Sequence, residues 1–185
     1  MSAQDRDTAV SKFMSYVLRH APQEAGLELD SQGWVAFSDL TTAIRTRFDI
    51  GNEDLLRLIE QNPKKRFTLA GGRIRAAQGH SVAVDIGLEA QVPPKVLFHG
   101  TQADRIAAIM DAGLLKMERQ HVHLSMDPAT AKTVAKRRRG QTAILKIDAE
   151  RMHSDGGVFF LSENDVWLTE TVKPEYISPL TETEL

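Results

Sequence analysis

The first segment of the chain carries apolar residues at helical spacing. Positions i, i+3, i+4, i+7 and i+8 of one face are occupied by Val10, Phe13, Met14, Val17 and Leu18. This spacing predicts an amphipathic helix with one buried face. Because proline cannot continue a helix, Pro22 predicts that the helix ends shortly after Arg19 and His20. An alternating stretch follows, with a turn predicted at residues 31–33.

The pattern then predicts two more helices and a hairpin. Ser38 and Asn52 are residue types that cap helices, and each precedes a group of apolar residues at helical spacing. Two short runs, 66–70 and 73–76, flank a Gly-Gly pair, which is the composition of a β-hairpin with a two-residue turn. Three helices followed by a hairpin is the element order of a winged helix.

A pair of prolines at Pro93-Pro94 predicts a domain boundary. The residues before it have little periodicity, so we place one domain at 1–92 and a second at 93–185. In the second domain Asp127 is predicted to cap a helix that begins with proline. Strands are predicted near 95–99, 121–125, 143–147, 158–161 and 166–169, and helices at 104–112 and 128–139. The sequence therefore predicts an α+β fold with a strand-rich second lobe.

Composition indicates a folded protein and narrows its class. Of 185 residues, 42% are hydrophobic and 26% are charged, which excludes wholesale disorder. The chain has no apolar run long enough for a membrane span and no signal-peptide pattern at its N-terminus. We therefore expect a cytoplasmic protein with no membrane partner, and a monomer by default. With no cysteine, a disulfide framework and a thiol nucleophile are excluded.

Charge is balanced overall but clustered locally. The net charge is −2, and the halves on either side of Val92 carry 11 and 12 basic residues against 12 and 13 acidic ones. Neither half is basic enough to coat nucleic acid nonspecifically. Basic residues nevertheless cluster at 64–66, at Arg73 and Arg75, and at 136–139. Such clusters suit a discrete anion such as phosphate, although one cluster alone is more often a solvated surface.

Common catalytic and metal-binding motifs are missing. The sequence contains no Walker loop, no GxGxxG and no GxSxG. His121 and His123 are a candidate metal pair, because alternate residues of a strand share a face. No nearby carboxylate completes the three protein ligands that are usual for zinc, so we expect no metal site.

Four polar stretches lie where a core would not place them. They are Arg19-His20 at a helix end, 75–81 after the hairpin, His99-Gly100-Thr101 at a strand end, and 127–140. Each has a structural explanation on its own, since the helix macrodipole favours cations at C-termini and His99 could pack in a core. A glycine at position 100 would let a ligand approach the strand backbone.

Taken together, these motifs follow one another in a specific order. The order is Leu-Arg19-His20, Arg75-Ala-Ala-Gln78-Gly79-His80-Ser81, Phe-His99-Gly100-Thr101, Val-His123-Leu-Ser125, Arg138-x-Gly140, Asn164-x-Val166-Trp167-Leu168-Thr169 and Pro174-x-Tyr176-Ile177. This order resembles the RNA 2′-phosphotransferase family (Tpt1/KptA) over residues 10–180. The resemblance implies an N-terminal winged-helix lobe joined to an ADP-ribosyltransferase-like lobe that binds NAD+.

The resemblance implies a reaction in which NAD+ is consumed. An internal RNA 2′-monophosphate attacks the anomeric carbon of the nicotinamide ribose and expels nicotinamide. The adjacent 2″-hydroxyl then attacks the new phosphodiester, which releases RNA with a free 2′-hydroxyl and ADP-ribose 1″,2″-cyclic phosphate. The implied partners are NAD+ and an RNA bearing a 2′-phosphate, such as a spliced tRNA.

The resemblance also implies roles for individual residues. The family's catalytic Arg-His-Arg-Arg tetrad is matched by Arg19, His20, Arg75 and Arg138. Its arginines are expected to bind phosphate and its histidine to transfer a proton or hydrogen-bond to phosphate, with the phosphate held by residues of both lobes. Arg137 or Arg139 is the alternative to Arg138. Cofactor-side positions are matched by His99, Gly100, Thr101, His123, Ser125 and Val166, with His99 expected at a ribose and His123 and Val166 beside nicotinamide.

This sequence departs from the family's pattern at two places. Asp165 stands where glycine is usual, and Phe160-Leu161 stand where a more polar pair is typical. Both departures lie near the expected nicotinamide side and neither removes a residue of the tetrad.

Two alternative functions belong to other classes. An ADP-ribosyltransferase acting on a terminal nucleic-acid phosphate or a protein side chain would use NAD+ but would not need the tetrad's second step. A noncatalytic winged-helix protein would bind nucleic acid through the helix predicted at 52–61. That helix carries Arg57 among Glu53, Asp54 and Glu60, which is a poor surface for reading a duplex.

Overall fold

The computed structural model describes residues 3–180 and divides the chain into two compact units, Met1–Gly87 and Leu88–Leu185. The boundary drawn from the sequence falls after Val92, a few residues later. In the structure, the backbone N–H of Gln91 donates to the carbonyl of Phe159 over 2.8 Å. This contact assigns the connector to the second unit.

The first unit consists of three helices and a small antiparallel sheet. Its helices are α1 (Ala3–Val17), α2 (Phe37–Arg45) and α3 (Asn52–Glu60), with a 3₁₀ turn at Pro22–Ala25. Its strands are β1 (Val35–Ala36), β2 (Phe67–Ala70) and β3 (Arg73–Ala76), in the order β1-β3-β2. The apolar face predicted for the first helix is buried in a core with residues of the other helices and the sheet, including Leu40, Ile44, Leu55 and Ile74.

The hairpin of the first unit has the predicted two-residue turn. Gly71 and Gly72 have φ of +55° and +71°, the left-handed region that a type I′ turn needs at both central positions. The turn sets the register of β2 and β3, so that Arg75 lies opposite Thr68.

The predicted caps of α2 and α3 are wrong. The residue before α2 is Ala36, and the Ser38 hydroxyl bonds to the carboxylate of Asp39, 3.1 Å away, instead of capping the helix. Asn52 is the first residue of α3, and Gly51 takes the cap position without a side-chain bond. Because helix α2 follows β1 directly, its first turn is fixed by the strand rather than by a polar side chain.

The second unit is built from short antiparallel strands with helices between them. Its strands are β4 (Val96–Gln102), β5 (Leu114–Leu115), β6 (Val122–Leu124), β7 (Thr142–Asp148), β8 (Phe160–Leu161), β9 (Trp167–Thr169), β10 (Thr171–Val172) and β11 (Ile177–Pro179). They form the sheets β11-β7-β4 and β6-β9-β8 and the pair β10-β5. Its helices are α4 (Ile106–Ala112), α5 (Pro128–Ala135) and α6 (Ala149–Ser154), with 3₁₀ turns at Ala103–Arg105 and Pro174–Tyr176.

Helix α5 begins as the sequence predicts but ends earlier. The Asp127 carboxylate accepts the backbone N–H of Thr130 over 2.7 Å, which confirms the predicted N-cap. The helix stops at Ala135, four residues before the predicted end at Arg139. Residues 136–140 are exposed and continue as a turn, and Gly140 within it has a φ of +124°. The three consecutive arginines therefore lie on a turn beyond the helix.

These elements confirm the α+β fold class. Within residues 3–180, every pair of hydrogen-bonded strands is antiparallel, and helices lie between strands in both units. A search of the described helices finds none that is long and apolar enough to span a membrane.

Candidate active site

The first unit brings together two motifs that are more than 50 residues apart in the chain. The backbone N–H of Ser81 donates to the carbonyl of Arg19 over 2.9 Å, and the Ser81 hydroxyl lies 2.9 Å from Nδ1 of His20. Arg75 lies on β3. Its charge, like those of Arg19 and His20, is close enough to lower the pKa of His80. Helix α1 ends at Val17, before Arg19 and His20 rather than after them as predicted, so these two residues lie on the turn that follows it. This turn, strand β3 and the segment after β3 form one cationic cluster, which we call the first-unit cluster: Arg19, His20, Arg75, His80 and Ser81.

The first-unit cluster combines exposed and buried groups. His20 and Ser81 are exposed, Arg19 and Arg75 are half-buried, and only 1% of His80 is exposed. Within residues 3–180, neither ring nitrogen of His80 has a hydrogen-bond partner. Burial, followed by the charges of Arg19, Arg75 and His20, lowers the pKa of His80 to about 4, so its imidazole is neutral near pH 7.

The low pKa of His80 predicts a loss of stability in acid. The unfolded chain binds a proton below about pH 6.5, whereas folded His80 does not bind one until about pH 4. The free energy of unfolding should therefore fall with falling pH across this window, by up to about 1.4 kcal/mol per pH unit from this residue. Denaturant unfolding of the wild type and of His80→Leu between pH 8 and 4.5 isolates the contribution of His80 to this pH dependence, because the variant lacks the titrating group.

A direct titration checks the same prediction in the folded state. The Cε1 proton of His80 in an NMR titration should shift near pH 4. A midpoint at or above pH 6.5 would contradict the prediction, as would an equal acid loss of stability in the His80→Leu variant.

The second unit holds two histidines in opposite tautomers. Nδ1 of His99 lies 3.0 Å from the carbonyl of His123, which can only accept, so Nδ1 carries the proton and Nε2 is an acceptor. Burial lowers the pKa of His99, and the nearby charges of Arg119 and Arg138 act in the same direction. A guanidinium N–H of Arg119 donates to Nδ1 of His123 over 3.2 Å, so His123 has its proton on Nε2. His99 therefore offers an acceptor and His123 a donor.

The strand register places the other predicted residues near these histidines. Phe98 and Ser125 exchange backbone hydrogen bonds of 2.9 and 2.7 Å, which bring Ser125 beside His99. Strands β6 and β9 pair antiparallel, with Leu124 opposite Trp167. One residue beyond this pair, the two chains bring Ser125 toward Val166. Four sequence-predicted residues thus lie in one region of the second unit, namely His99, His123, Ser125 and Val166. The other two, Gly100 and Thr101, follow His99 directly on β4.

Gly100 is required by packing within the second unit. It points to the opposite face of β4 from His99 and Thr101, since successive residues of a strand alternate. A Cβ at this position would lie 1.9 Å from the carbonyl oxygen of Ala131 and 3.2 Å from Cβ of Ala135. The backbone that approaches Gly100 is therefore that of helix α5.

The turn that carries Arg138 is attached to the end of β4. Gln102 is buried, and its amide donates to the carbonyl of Ala135 over 2.8 Å. A Cβ at Gly140 would lie 2.8 Å from Oε1 of Gln102, so the turn passes close to this side chain. Three consecutive arginines lie on this turn. The charge of Arg138 contributes to lowering the pKa of both His99 and Arg119, whereas the charge of Arg137 contributes to lowering the pKa of Arg119.

A serine-centred turn fixes Val166. The buried Ser162 hydroxyl accepts the backbone N–H of Val166 over 3.1 Å, and the backbone N–H of Ser162 donates to the carbonyl of Val166 over 3.0 Å. Asp165, within this turn, has a φ of +60°. Glycine adopts this left-handed conformation without steric cost, whereas a residue with a Cβ does not.

Replacing Asp165 by glycine should therefore leave the fold unchanged or slightly more stable. Relief of the left-handed backbone is worth about 1–2 kcal/mol, and the greater freedom of an unfolded glycine offsets about 0.4–1 kcal/mol of it. Denaturant unfolding should show a free energy of unfolding equal to that of the wild type or up to about 1.6 kcal/mol higher. Asp165→Val, which is β-branched, should lower it. A clear destabilisation by glycine would show that the Asp165 carboxylate is needed.

His121 takes part in aromatic packing. Its ring lies edge-on to that of Phe160, with the ring centroids 5.6 Å apart. This contact accounts for the aromatic residue at position 160. Among residues 3–180, no three His, Cys, Asp or Glu side chains are grouped so that they could hold a metal ion.

Two residues of these regions were not predicted from the sequence. Arg119 sets the tautomer of His123, and Gln102 binds the last residue of α5, just before the turn that carries Arg138. Arg119 lies two residues before His121 in the sequence, and its charge next to a His-x-His pair was an available signal. His80 stands in one of the predicted motifs, but its burial among cations, like the burial of Gln102, depends on strand pairing and had no local signal.

Comparison with known proteins identifies similar chains. Residues 5–171 match the model of the family described as RNA 2′-phosphotransferase, Tpt1 / KptA family. A chain of Rhizobium rhizogenes named "Probable RNA 2′-phosphotransferase" is 57% identical over 184 residues, covering 100% of both chains. Chains with the same name from Rhodopirellula baltica (47% identical, 96% of this chain and 98% of the relative) and Nostoc punctiforme (45%, 92% and 96%) are also similar.

Proposed function

Because the chain belongs to the RNA 2′-phosphotransferase family (Tpt1/KptA), we propose that it removes an internal 2′-phosphate from RNA by transferring it to NAD+. The observation that carries this proposal is the first-unit cluster. Arg19 and His20 follow α1, Arg75 lies on β3, and the charges of all three act on the buried His80, while Ser81 binds the His20 ring and the Arg19 carbonyl. A group of cations held in this way suits a doubly charged phosphate better than a single neutral ligand.

The arginines of the first-unit cluster are proposed to bind the RNA phosphate. A guanidinium stays charged at any physiological pH and donates N–H groups in a fixed plane that matches phosphate oxygens. The same charges would stabilise the additional negative charge that develops when the phosphodiester is attacked. Arg138, in the second unit, is proposed as the fourth cation. Its charge contributes to lowering the pKa of His99, which supports Arg138 rather than Arg137 or Arg139 in this role.

His20 is proposed to transfer a proton. It is exposed, and its Nδ1 is held by the Ser81 hydroxyl, which fixes the orientation of the ring. The reaction needs a proton removed from a ribose hydroxyl and one delivered to the departing RNA oxygen. Imidazole exchanges protons near neutral pH and is suited to one of these transfers.

The donors and acceptors of the second unit fit a dinucleotide. The Nε2 lone pair of His99 can accept from a ribose hydroxyl, and the Nε2 proton of His123 can be donated to a carbonyl or hydroxyl. Arg119 and Arg138 add positive charge next to His99, as an anionic diphosphate requires. When bound, NAD+ supplies an electrophilic anomeric carbon with nicotinamide as leaving group and a neighbouring 2″-hydroxyl.

We further propose a winged-helix fold for the first unit and an ADP-ribosyltransferase-like fold for the second. The order of three helices followed by a hairpin supports the first, and the strand-rich second unit supports the other. A purely nucleic-acid-binding role is less well supported. Arg57 on α3 is paired with Asp54 at 3.1 Å and Asp7 at 3.4 Å, so this cation is already neutralised.

A phosphate-release assay tests the proposed function. An oligoribonucleotide with one internal 2′-phosphate is incubated with the enzyme in the presence and absence of NAD+, each with and without EDTA. We expect the 2′-phosphate to disappear only with NAD+, and EDTA to have no effect. Survival of the phosphate with NAD+, or its equal loss without NAD+, would refute the proposal, and inhibition by EDTA that a divalent ion reverses would refute metal independence.

A further inference from the structure

The indole ring of Trp34 lies beneath the guanidinium of Arg75. The central carbon of the guanidinium is 4.6 Å from the ring centroid of Trp34. The two residues are cross-strand neighbours, because β1 and β3 pair antiparallel with Val35 opposite Ile74. Trp34 is half-buried, so the ring contributes both packing and a surface for the cation.

A compact turn at residues 30–34 holds the indole in place. The Asp30 carboxylate accepts the backbone N–H groups of Gln32 and Trp34, each over 2.9 Å. The N–H of Gly33 donates to the carbonyl of Asp30 over 2.9 Å, and Gly33 has a φ of +79°. Because both the side chain and the backbone of Asp30 bind within the turn, the position of Trp34 is fixed locally.

The other face of the turn rests on a buried side chain. A Cβ at Gly33 would lie 3.4 Å from Nε2 of His80, so the turn is packed directly against the imidazole. The backbone N–H of Asp85 donates to the carbonyl of Ser31 over 2.8 Å and ties the turn to the segment after the hairpin. The turn is therefore supported from two sides.

The contact with the indole restrains Arg75 in a way that suits phosphate binding. The N–H groups of a guanidinium point outward in its plane, and an aromatic ring contacts only its face. One N–H of Arg75 donates to the carbonyl of Ile86 over 3.1 Å, with the carbonyl of Gln32 at 3.5 Å. The indole and these carbonyls together restrain the position of the guanidinium from different sides.

We propose that Trp34 is a positioning residue that fixes the guanidinium of Arg75 for binding the 2′-phosphate of RNA. This inference rests on the proposed function, because it needs Arg75 to bind that phosphate. The ring acts on Arg75 through its aromatic face and does not itself contact the reacting atoms.

Arg73 provides a matched comparison on the same strand. It lies two residues from Arg75, and its guanidinium is 5.8 Å from the centroid of the same indole. Its charge is paired with the Asp30 carboxylate, and its side chain is more exposed than that of Arg75. Arg73 is therefore an exposed cation already paired with a carboxylate, whereas Arg75 is the cation that the turn orients.

The positioning role of Trp34 can be measured in binding experiments, without catalysis, as a preference for RNA that carries the 2′-phosphate. The quantity is the Kd of an unphosphorylated oligoribonucleotide divided by the Kd of the same oligonucleotide with an internal 2′-phosphate, both measured without NAD+. A smaller folded fraction weakens both affinities equally, so the ratio reports on the phosphate site alone. Trp34→Leu should lower the ratio about 3- to 30-fold, the fold-change that corresponds to a lost cation–π contact. Trp34→Phe should stay within about twofold of the wild type.

A double-mutant cycle decides between positioning and general packing. Trp34→Leu should cause no further loss of phosphate preference in an Arg75→Ala background, but its full loss in an Arg73→Ala background. Trp34→Met serves as a second non-aromatic variant if Trp34→Leu does not fold.

The outcomes separate this inference from the proposed function. A wild-type preference for phosphate that Trp34→Leu leaves intact would overturn the inference alone. An equal effect of Trp34→Leu with and without Arg75 would also overturn it. A wild type with no phosphate preference would overturn the proposed function, and with it the inference.

Discussion

Replacing Arg75 by alanine is expected to slow 2′-phosphate removal by about 10²–10³-fold and to leave RNA that carries ADP-ribose on its 2′-phosphate. In the first step, phosphate is already a competent nucleophile and nicotinamide is a good leaving group. In the second step, an unactivated hydroxyl attacks a phosphodiester, so this step depends more on neutralisation of developing charge. Loss of one phosphate-binding cation should therefore slow the second step more than the first. Arg138→Ala should behave in the same way.

Gel electrophoresis and mass measurement of the RNA during the reaction test this prediction. The Arg75→Ala variant should still release nicotinamide while the adduct accumulates. Arg73→Ala is the matched control, because it removes a cation from the same face of β3 that is already paired with Asp30. It should clear the phosphate without an accumulated adduct. If Arg75→Ala is slow and no adduct appears, the arginine acts mainly in the first step or in binding.

Replacing Gly100 by alanine is expected to destabilise the second unit by about 3 kcal/mol or more. The added Cβ would lie 1.9 Å from the carbonyl oxygen of Ala131 and 2.7 Å from its carbonyl carbon. These are backbone atoms of α5, so no side-chain rotation can relieve the overlap and the helix must move. Since α5 leads into the turn of Arg138, displacement of the helix should also lower activity.

Thermal and denaturant unfolding measure this effect, with Gly51→Ala as the control. Gly51 has nothing within 4 Å of an added Cβ and a φ of −77°, so its replacement should change the free energy of unfolding by at most about 1 kcal/mol. A Gly100→Ala protein as stable as the wild type would show that α5 shifts away from β4 without cost. Packing would then not explain the glycine.

Local signals in the sequence predicted the parts of the fold that depend on nearby residues. The Gly71-Gly72 turn and the Asp127 cap are set by neighbours within a few positions, and both are confirmed. The buried face of α1 follows from its 3.6-residue period alone. The predicted caps at Ser38 and Asn52 are wrong because the chain before each helix, rather than the capping residue type, determines where the helix begins.

The site was predictable only where its residues stand in recognisable motifs. Arg19, His20, Arg75 and His99 were singled out from such motifs, and the structure brings the first three into one cluster. The contact of Trp34 with Arg75 depends on the pairing of β1 with β3, which joins residues about 40 positions apart. A turn was predicted at residues 31–33, but no local pattern shows which strand lies beside it.

The fate of the phosphorus atom distinguishes transfer of the 2′-phosphate to NAD+ from its hydrolysis. An oligoribonucleotide with ³²P in its internal 2′-phosphate is incubated with the enzyme and NAD+, and the products are separated and identified by mass. We expect the label to leave the RNA and appear in ADP-ribose 1″,2″-cyclic phosphate, in a one-to-one ratio with released nicotinamide. Label found as inorganic phosphate, or retained on RNA as a stable ADP-ribose adduct of the wild-type enzyme, would contradict this expectation.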